Sequence, residues 1–186
     1  MQLPRIFIHR LPQDDPSKNT AVKMARFGFV QLVDSVRHLP RGSILLDPTA
    51  KSPLTLSDRD TVIRRGLSII DCSWRRAVEL HDKLPRVYFV RRRLPLLIAV
   101  NPPHYGKPYI LSTIEAVAAA LYILGFRKEA EAVLRLYKWG PNFLSVNARY
   151  LERYAVSDLT PERELLGIDD VEEGITRLIV ALLNGR

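Results

Sequence analysis

One stretch, Arg91 to Glu115, constrains this chain more than any other; it reads RRRLPLLIAVNPPHYGKPYILSTIE. Three arginines run directly into an apolar segment with the composition of a buried strand. Pro95, Pro102, Pro103 and Pro108 then stiffen a tight polar loop, and Ser112 opens a helix. Cationic edge, dry wall, rigid loop and helix start follow one another without a break. Together they offer a ligand positive charge, apolar surface and backbone donors.

Before this stretch, strand and helix patterns alternate. RIFIHR (5–10) alternates in hydropathy and predicts a strand. LPQDDPSKNT predicts a loop, and Asn19 or Thr20 a cap for a helix running AVKMARFGFVQLVDSV, with Gly28 dividing it. SILL (43–46) predicts a strand that ends in the turn-rich DPTAKSPLTLSD. Ser57 is placed to cap a helix from Asp58, with Asp60 in its first turn and Gly66 at its end. LSIID follows as a strand, DCSWRRAVELHDKL as a helix, VYFV as a strand and PLLIAV as a further apolar run. Strand, helix, strand predicts a parallel sheet.

After Asn101 the patterns are helical throughout. LSTIEAVAAALYILG, FRKEAEAVLRLYKWG and NFLSVNARYLERYA predict three helices, and the tail one or two more. The expected architecture is an α/β domain with a parallel sheet over 1–93 and an all-α domain over 94–186. In such sheets ligands sit beyond the carboxyl ends of the strands. Asp47-Pro48, Asp71-Cys72 and Asn101-Pro102 leave three strand ends and are expected to converge on one crevice at the junction.

With 186 residues and 47% apolar composition the chain is long enough for a substantial core. Its net charge of +8 is carried mostly by arginine, which favours an anionic partner, RNA or DNA first. Cys72 is the single cysteine, which excludes an internal disulfide and a cysteine zinc cage and fits a cytoplasmic location. No apolar run is long enough for a membrane span, and the N-terminus lacks a secretory pattern. His9, His38, His81 and His104 show no metal-ligand spacing, so no metal is expected. There is no GxGxxG and no P-loop.

Asp71 stands at a strand end, where a carboxylate serves as a general base or orients a ligand group. The plainer reading is a helix cap, shared with Ser73. Trp74 is a ligand wall or a core aromatic. Lys18, Lys23, Arg26, Arg75, Arg76, Arg91 and Arg92, with Arg93, form a potential phosphate-binding rim; the alternative is a solvated edge. Glu115 three residues after Ser112 makes a capping box.

Four ordered motifs narrow this further: SKNTAVKMARFG, DCSW, RLPLLIAVNPPHYGKPYILSTIEA and KWGPNFLSVNARYLERY. Together they resemble the small-subunit ribosomal RNA aminocarboxypropyltransferases across nearly the whole chain. The resemblance implies transfer of the 3-amino-3-carboxypropyl group of S-adenosylmethionine to N3 of a hypermodified uridine, of N1-methylpseudouridine type, in small-subunit rRNA or a pre-ribosomal particle. It also implies a SPOUT-like fold with a trefoil knot. Trp74 and Ala77 would line the methionine part, and Leu46, Pro48, Leu94 and Leu111 would sandwich the adenine. Backbone groups of Leu94 and Tyr109 would read the adenine edge, and the Ile70 backbone would approach the ribose. Thr20 and Thr113 would hold polar groups. Asp71 becomes the candidate base for uracil N3–H or the partner of the substrate ammonium. Asn19 replaces the family's usual Cys, Ala21 its Gly, and Pro103-His104 a Val-Asn pair. Two rival readings are a SPOUT-type RNA methyltransferase and a non-catalytic RNA-binding assembly factor.

Overall fold

A computed structural model describes residues 4–11, 19–73, 76, 80, 84 and 88–184. Five short strands form one parallel sheet: β1 (Ile6–Arg10), β2 (Gln31–Val33), β3 (Ile44–Leu46), β4 (Leu67–Asp71) and β5 (Val90–Arg92), in the order β2-β1-β4-β3-β5. Helices α1 (Thr20–Arg26) and α2 (Arg59–Arg65) lie between strands. The second half supplies α3 (Thr113–Ile123), α4 (Arg127–Leu134), α5 (Pro141–Ala155), α6 (Thr160–Leu166) and α7 (Val171–Leu183). The mixed α/β character and the parallel sheet match the sequence expectation.

Strand alternation sorts the core. Ile6, Ile8, Ile44, Leu46, Leu67 and Ile69 point to one face of the sheet. There they join a cluster that includes Ala118 and Leu121 of α3 and Phe143, Leu151 and Tyr154 of α5. Phe7, Leu45 and Ile70 point to the other face, against Leu39 and Phe89. The helical half therefore covers one side of the sheet directly.

Four local expectations need correction. The helix expected through Val36 stops at Arg26. Gly28 takes a φ of 76°, open to it for lack of a Cβ, and the chain returns as edge strand β2, paired to β1. The strand expected at VYFV begins instead at Val90 and takes in Arg91 and Arg92. Ser57 does not cap α2: Thr55 and Asp58 close a capping box over the 3-10 turn Leu56–Asp58, and Asp58 is the N-cap residue of α2. Finally, PLLIAV is not a strand of the sheet.

The fate of PLLIAV's backbone explains why. Its odd residues pair with the returning loop: Tyr109 N–H donates to Leu97 C=O (2.9 Å) and Ala99 N–H to Lys107 C=O (3.0 Å). Its even residues pair with side chains of the helical half. Leu96 N–H donates to Glu162 (3.0 Å), and Tyr154 Oη donates to Leu96 C=O (2.8 Å). Asn147 accepts from Ile98 N–H (2.8 Å) and donates to Ile98 C=O (2.9 Å), as a neighbouring strand would. Val100 N–H donates to Glu115 (2.7 Å). Buried backbone polar groups must find partners; here three helices provide them. Gly140, in the KWG motif, permits close helix approach: a Cβ there would stand 2.0 Å from Leu134 O.

Candidate cofactor cleft

The carboxyl ends of β3, β4 and β5 open onto a cleft lined by Leu46, Asp47, Pro48, Ile69, Ile70, Asp71, Cys72, Leu94, Pro95, Tyr109, Leu111, Thr113 and Ala116. Of the residues singled out from sequence, Leu46, Pro48, Ile70, Asp71, Leu94, Tyr109, Leu111 and Thr113 meet here. Thr20 begins α1 and is not among the lining residues. Trp74 and Ala77 lie outside the described residues. Asn101, expected at the crevice, is instead drawn to Glu115 (Nδ2–Oε2, 2.6 Å), and Leu94-Pro95 takes its place in the wall. Ala116, not singled out from the sequence, sits one helical turn after Thr113 on the same face.

Both oxygens of the Asp71 carboxylate are held. Its Oδ1 accepts from Thr113 Oγ1 (2.5 Å) and its Oδ2 from Asn19 Nδ2 (2.9 Å). Asn19 is also the cap of α1, its Oδ1 accepting from Ala21 N–H (2.9 Å) and Val22 N–H (3.1 Å). One amide thus ends a helix and orients the carboxylate. The end of β4 and the starts of α1 and α3 meet on a single side chain. The sequence marked Asn19 as a cap and as a departure from the family's Cys; its reach to Asp71 is 52 residues away in the chain and had no local signal.

Tyr109 holds the opposite wall. Its φ of 69° is unusual for a residue with a Cβ and costs about 1–2 kcal/mol. The conformation is fixed at both ends: N–H bonds to Leu97, and Oη donates to Pro48 C=O (2.5 Å). Burial holds its phenol far above the usual range, so it remains a donor. Pro48 is itself positioned by Asp47, whose Oδ1 accepts from Thr49 N–H (2.8 Å) and Oγ1 (2.7 Å). The Tyr109 carbonyl accepts from Leu111 N–H (2.9 Å).

The cationic run is disposed differently from a solvent-facing rim. Arg91 pairs with Asp47 (3.2 Å) and donates to Leu84 C=O (2.8 Å), Arg92 pairs with Asp58 (3.0 Å), and Arg93 forms a buried fork with Glu162 (2.5 and 3.0 Å). Lys23 donates to Leu136 C=O (2.6 Å) and lies 4.1 Å from the Tyr137 ring centre. Arg26 and Arg76 are exposed. Lys18 and Arg75 lie outside the described residues. His104 Nδ1 faces Asn101 Oδ1 at 3.2 Å, and burial with Lys107 nearby lowers its pKa.

Cys72 lines the cleft, but burial and then the Asp71 charge push its thiol up to about 11, against the opposing charge of Arg76. It is therefore a thiol near neutrality, not a nucleophile. Iodoacetamide labelling at pH 8 should run about 100-fold slower than for a free cysteine, accelerating only above pH 10; rapid labelling at pH 8 would contradict this environment. Among the described residues no group of His, Cys, Asp and Glu could hold a metal ion, and no helix is long and apolar enough to cross a membrane.

A parallel α/β sheet with an apolar cleft beyond the carboxyl ends of its strands defines a ligand-binding α/β protein in general terms. Residues 44–168 match the family described as "Ribosome biogenesis protein, C-terminal". The 16S rRNA aminocarboxypropyltransferase of Vulcanisaeta distributa is 69% identical over 183 residues, covering 98% of this chain and 99% of that protein. That of Methanopyrus kandleri is 46% identical over 148 residues, 80% of this chain and 87% of its own. The solved structure of the SAM-dependent rRNA:acp-transferase Tsr3 from Vulcanisaeta distributa superposes with a TM-score of 0.94 at 70% identity, over 97% of this chain and 98% of that one. The chain belongs to the 16S rRNA aminocarboxypropyltransferase family.

Proposed function

We propose that this protein transfers the 3-amino-3-carboxypropyl group of S-adenosylmethionine to a uridine-type base of small-subunit rRNA, during ribosome biogenesis in the cytoplasm. The observation that carries it is the cleft: Leu94, Tyr109, Leu111 and Thr113 of its wall, and the Asp71 carboxylate fixed between Asn19 and Thr113, lie within or beside the family motifs. Leu46, Pro48, Leu94 and Leu111 supply apolar faces for a purine. The Leu94 N–H makes no hydrogen bond to the described residues and is the donor left for the purine edge, beside the Tyr109 carbonyl. Ile70 presents backbone at the strand end. We place Trp74, Ala77 and Thr20 at the same ligand through the family motifs. The SPOUT-like trefoil knot and the division at residue 93 belong to the same reading, supported by the extended 96–101 segment that the helical half surrounds.

S-adenosylmethionine supplies carbon centres already activated by the sulfonium charge. The protein's task is then positional: the walls must cover the methyl and leave the aminocarboxypropyl methylene open to the attacking nitrogen. Asp71 is held by Asn19 and Thr113 where it can accept the uracil N3 proton or bind the substrate ammonium. Asp71→Asn is expected to lower transfer about 10²-fold, read as a drop in turnover for the base role and in cofactor affinity for the ammonium role. Full transfer with unchanged affinity would remove both roles. For the RNA, we assign the approach to exposed Arg26 and Arg76 with Lys18 and Arg75; Lys23, Arg91 and Arg92 are committed to internal partners and shape the rim.

The target atom is tested by primer extension. N3 lies on the pairing edge of uracil, so a substituent there blocks reverse transcription. On 16S rRNA from cells lacking the enzyme, protein plus S-adenosylmethionine should create one new stop. Modification without a stop would overturn the N3 assignment.

A further inference from the structure

The positive charge is unevenly divided. Residues 1–93 hold 18 Lys and Arg against 9 Asp and Glu, while 94–186 hold 10 against 11, so the whole net charge of +8 resides in the sheet-bearing half. The arginines of the helical half are largely neutralised within it: Arg127 pairs with Glu152, Arg135 with Glu131, Arg153 with Asp158 and Glu164, and Arg177 with Glu173. Among the described residues, Arg5, Arg41, Arg64 and Arg65 have no carboxylate within ion-pair distance, and all four are exposed.

All four adjoin the amino-terminal ends of the strands. Ile6 pairs with Leu67, Leu67 with Ile44, and Ile44 with Val90, which puts the starts of β1, β4, β3 and β5 in one row. Arg5 immediately precedes that row on β1 and Arg41 on the turn into β3, while Arg64 and Arg65 end α2 just before β4. Arg5 C=O accepts from Leu67 N–H (2.9 Å), a Cβ at Gly42 would stand 3.9 Å from Arg65 Cδ, and Gly42 N–H donates to Tyr88 C=O (2.7 Å). Tyr88, 38% exposed, carries the Arg41 guanidinium 4.5 Å above its ring centre, which orients the fork. The row crosses four strands, about 14 Å, and stands about 15 Å from the cleft at the far end of the strands.

We propose that this band is a second RNA-contact surface, holding the phosphate backbone of an rRNA segment other than the one that enters the cleft. The inference rests on the RNA-modifying function proposed above. Guanidinium forks with no carboxylate beside them suit phosphate, and a large folded RNA presents phosphates well beyond the nucleotide being modified. The band anchors the substrate and takes no part in chemistry.

The test compares wild type with the Arg41→Ala/Arg64→Ala/Arg65→Ala variant on two RNAs: full-length 16S rRNA from cells lacking the enzyme, and the shortest fragment of it that the wild type modifies. For full-length rRNA the variant should bind on the order of tenfold or more weakly, with the slope of log K against log salt smaller by about 2. Its KM should rise with kcat unchanged. Affinity for S-adenosylmethionine and transfer to the fragment should match wild type. The corresponding triple lysine variant should retain the salt slope. Unchanged affinity for full-length rRNA would overturn the proposal, as would an equal loss on the fragment. If wild type modifies neither RNA, the enzymatic reading fails, and the binding comparison still decides the band.

Discussion

Glu115→Ala is expected to destabilise the protein by about 3–5 kcal/mol, lowering Tm by roughly 10 °C for a chain of this size. Glu115 is fully buried, and every contact of its carboxylate is with a donor. Oε1 accepts from the N–H groups of Val100 (2.7 Å) and Asn101 (2.9 Å); Oε2 accepts from Asn101 Nδ2 (2.6 Å), Ser112 N–H (2.8 Å) and Ser112 Oγ (2.7 Å). Alanine would leave five donors without partners where water does not replace them. The capping box read from the sequence is present, and it also welds the loop at Asn101 to the first turn of α3. Urea unfolding should show a lower midpoint at an unchanged m-value. Glu115→Gln should also be markedly destabilising, because its amide N–H turns toward donors; a variant as stable as wild type would refute this account of the junction.

Glu162→Ala is expected to cost a similar 3–5 kcal/mol, for a different reason. Arg93 is 6% exposed and Glu162 1%, so removing the carboxylate strands a guanidinium inside the protein. Arg93→Met/Glu162→Leu should recover part of that loss, because a buried ion pair contributes little over packed apolar groups. Recovery should remain incomplete by about 1–3 kcal/mol, since Leu96 N–H also loses its acceptor. If the double variant is no more stable than Glu162→Ala, the cost does not arise from the unpaired charge.

These two carboxylates also mark where sequence reading failed. A run of three arginines has no local sign of its partners. Asp47, Asp58 and Glu162 lie 44, 34 and 69 residues from the arginines they meet, and only the fold brings them together. PLLIAV carries a strand's composition because it is buried and extended; the sheet did not claim it because side chains of Glu162, Asn147 and Glu115 satisfy its backbone first. β2 was hidden for a related reason. Leu32, Val33 and Val36 happen to fall at helical spacing, and as an edge strand β2 lacks the clean alternation that buries one face. What was legible followed from local chemistry: the alternation of β1, the Asn19 cap, the Ser112–Glu115 box, and the strand-end polar residues Asp47-Pro48 and Asp71-Cys72 that reach the cleft. The cleft residues Leu94, Tyr109 and Leu111 came from motif resemblance, since nothing local tells a cofactor wall from ordinary core.

The carbon of the sulfonium that leaves with the RNA distinguishes aminocarboxypropyl transfer from methyl transfer. Paired reactions should use S-adenosylmethionine labelled in the carboxyl group or in the methyl group, with small-subunit rRNA from cells lacking the enzyme. Carboxyl label entering the RNA, with methyl label remaining on the small-molecule product, is the predicted result. Methyl label in the RNA without carboxyl label would contradict it, and would mean that the cleft walls leave the methyl carbon exposed.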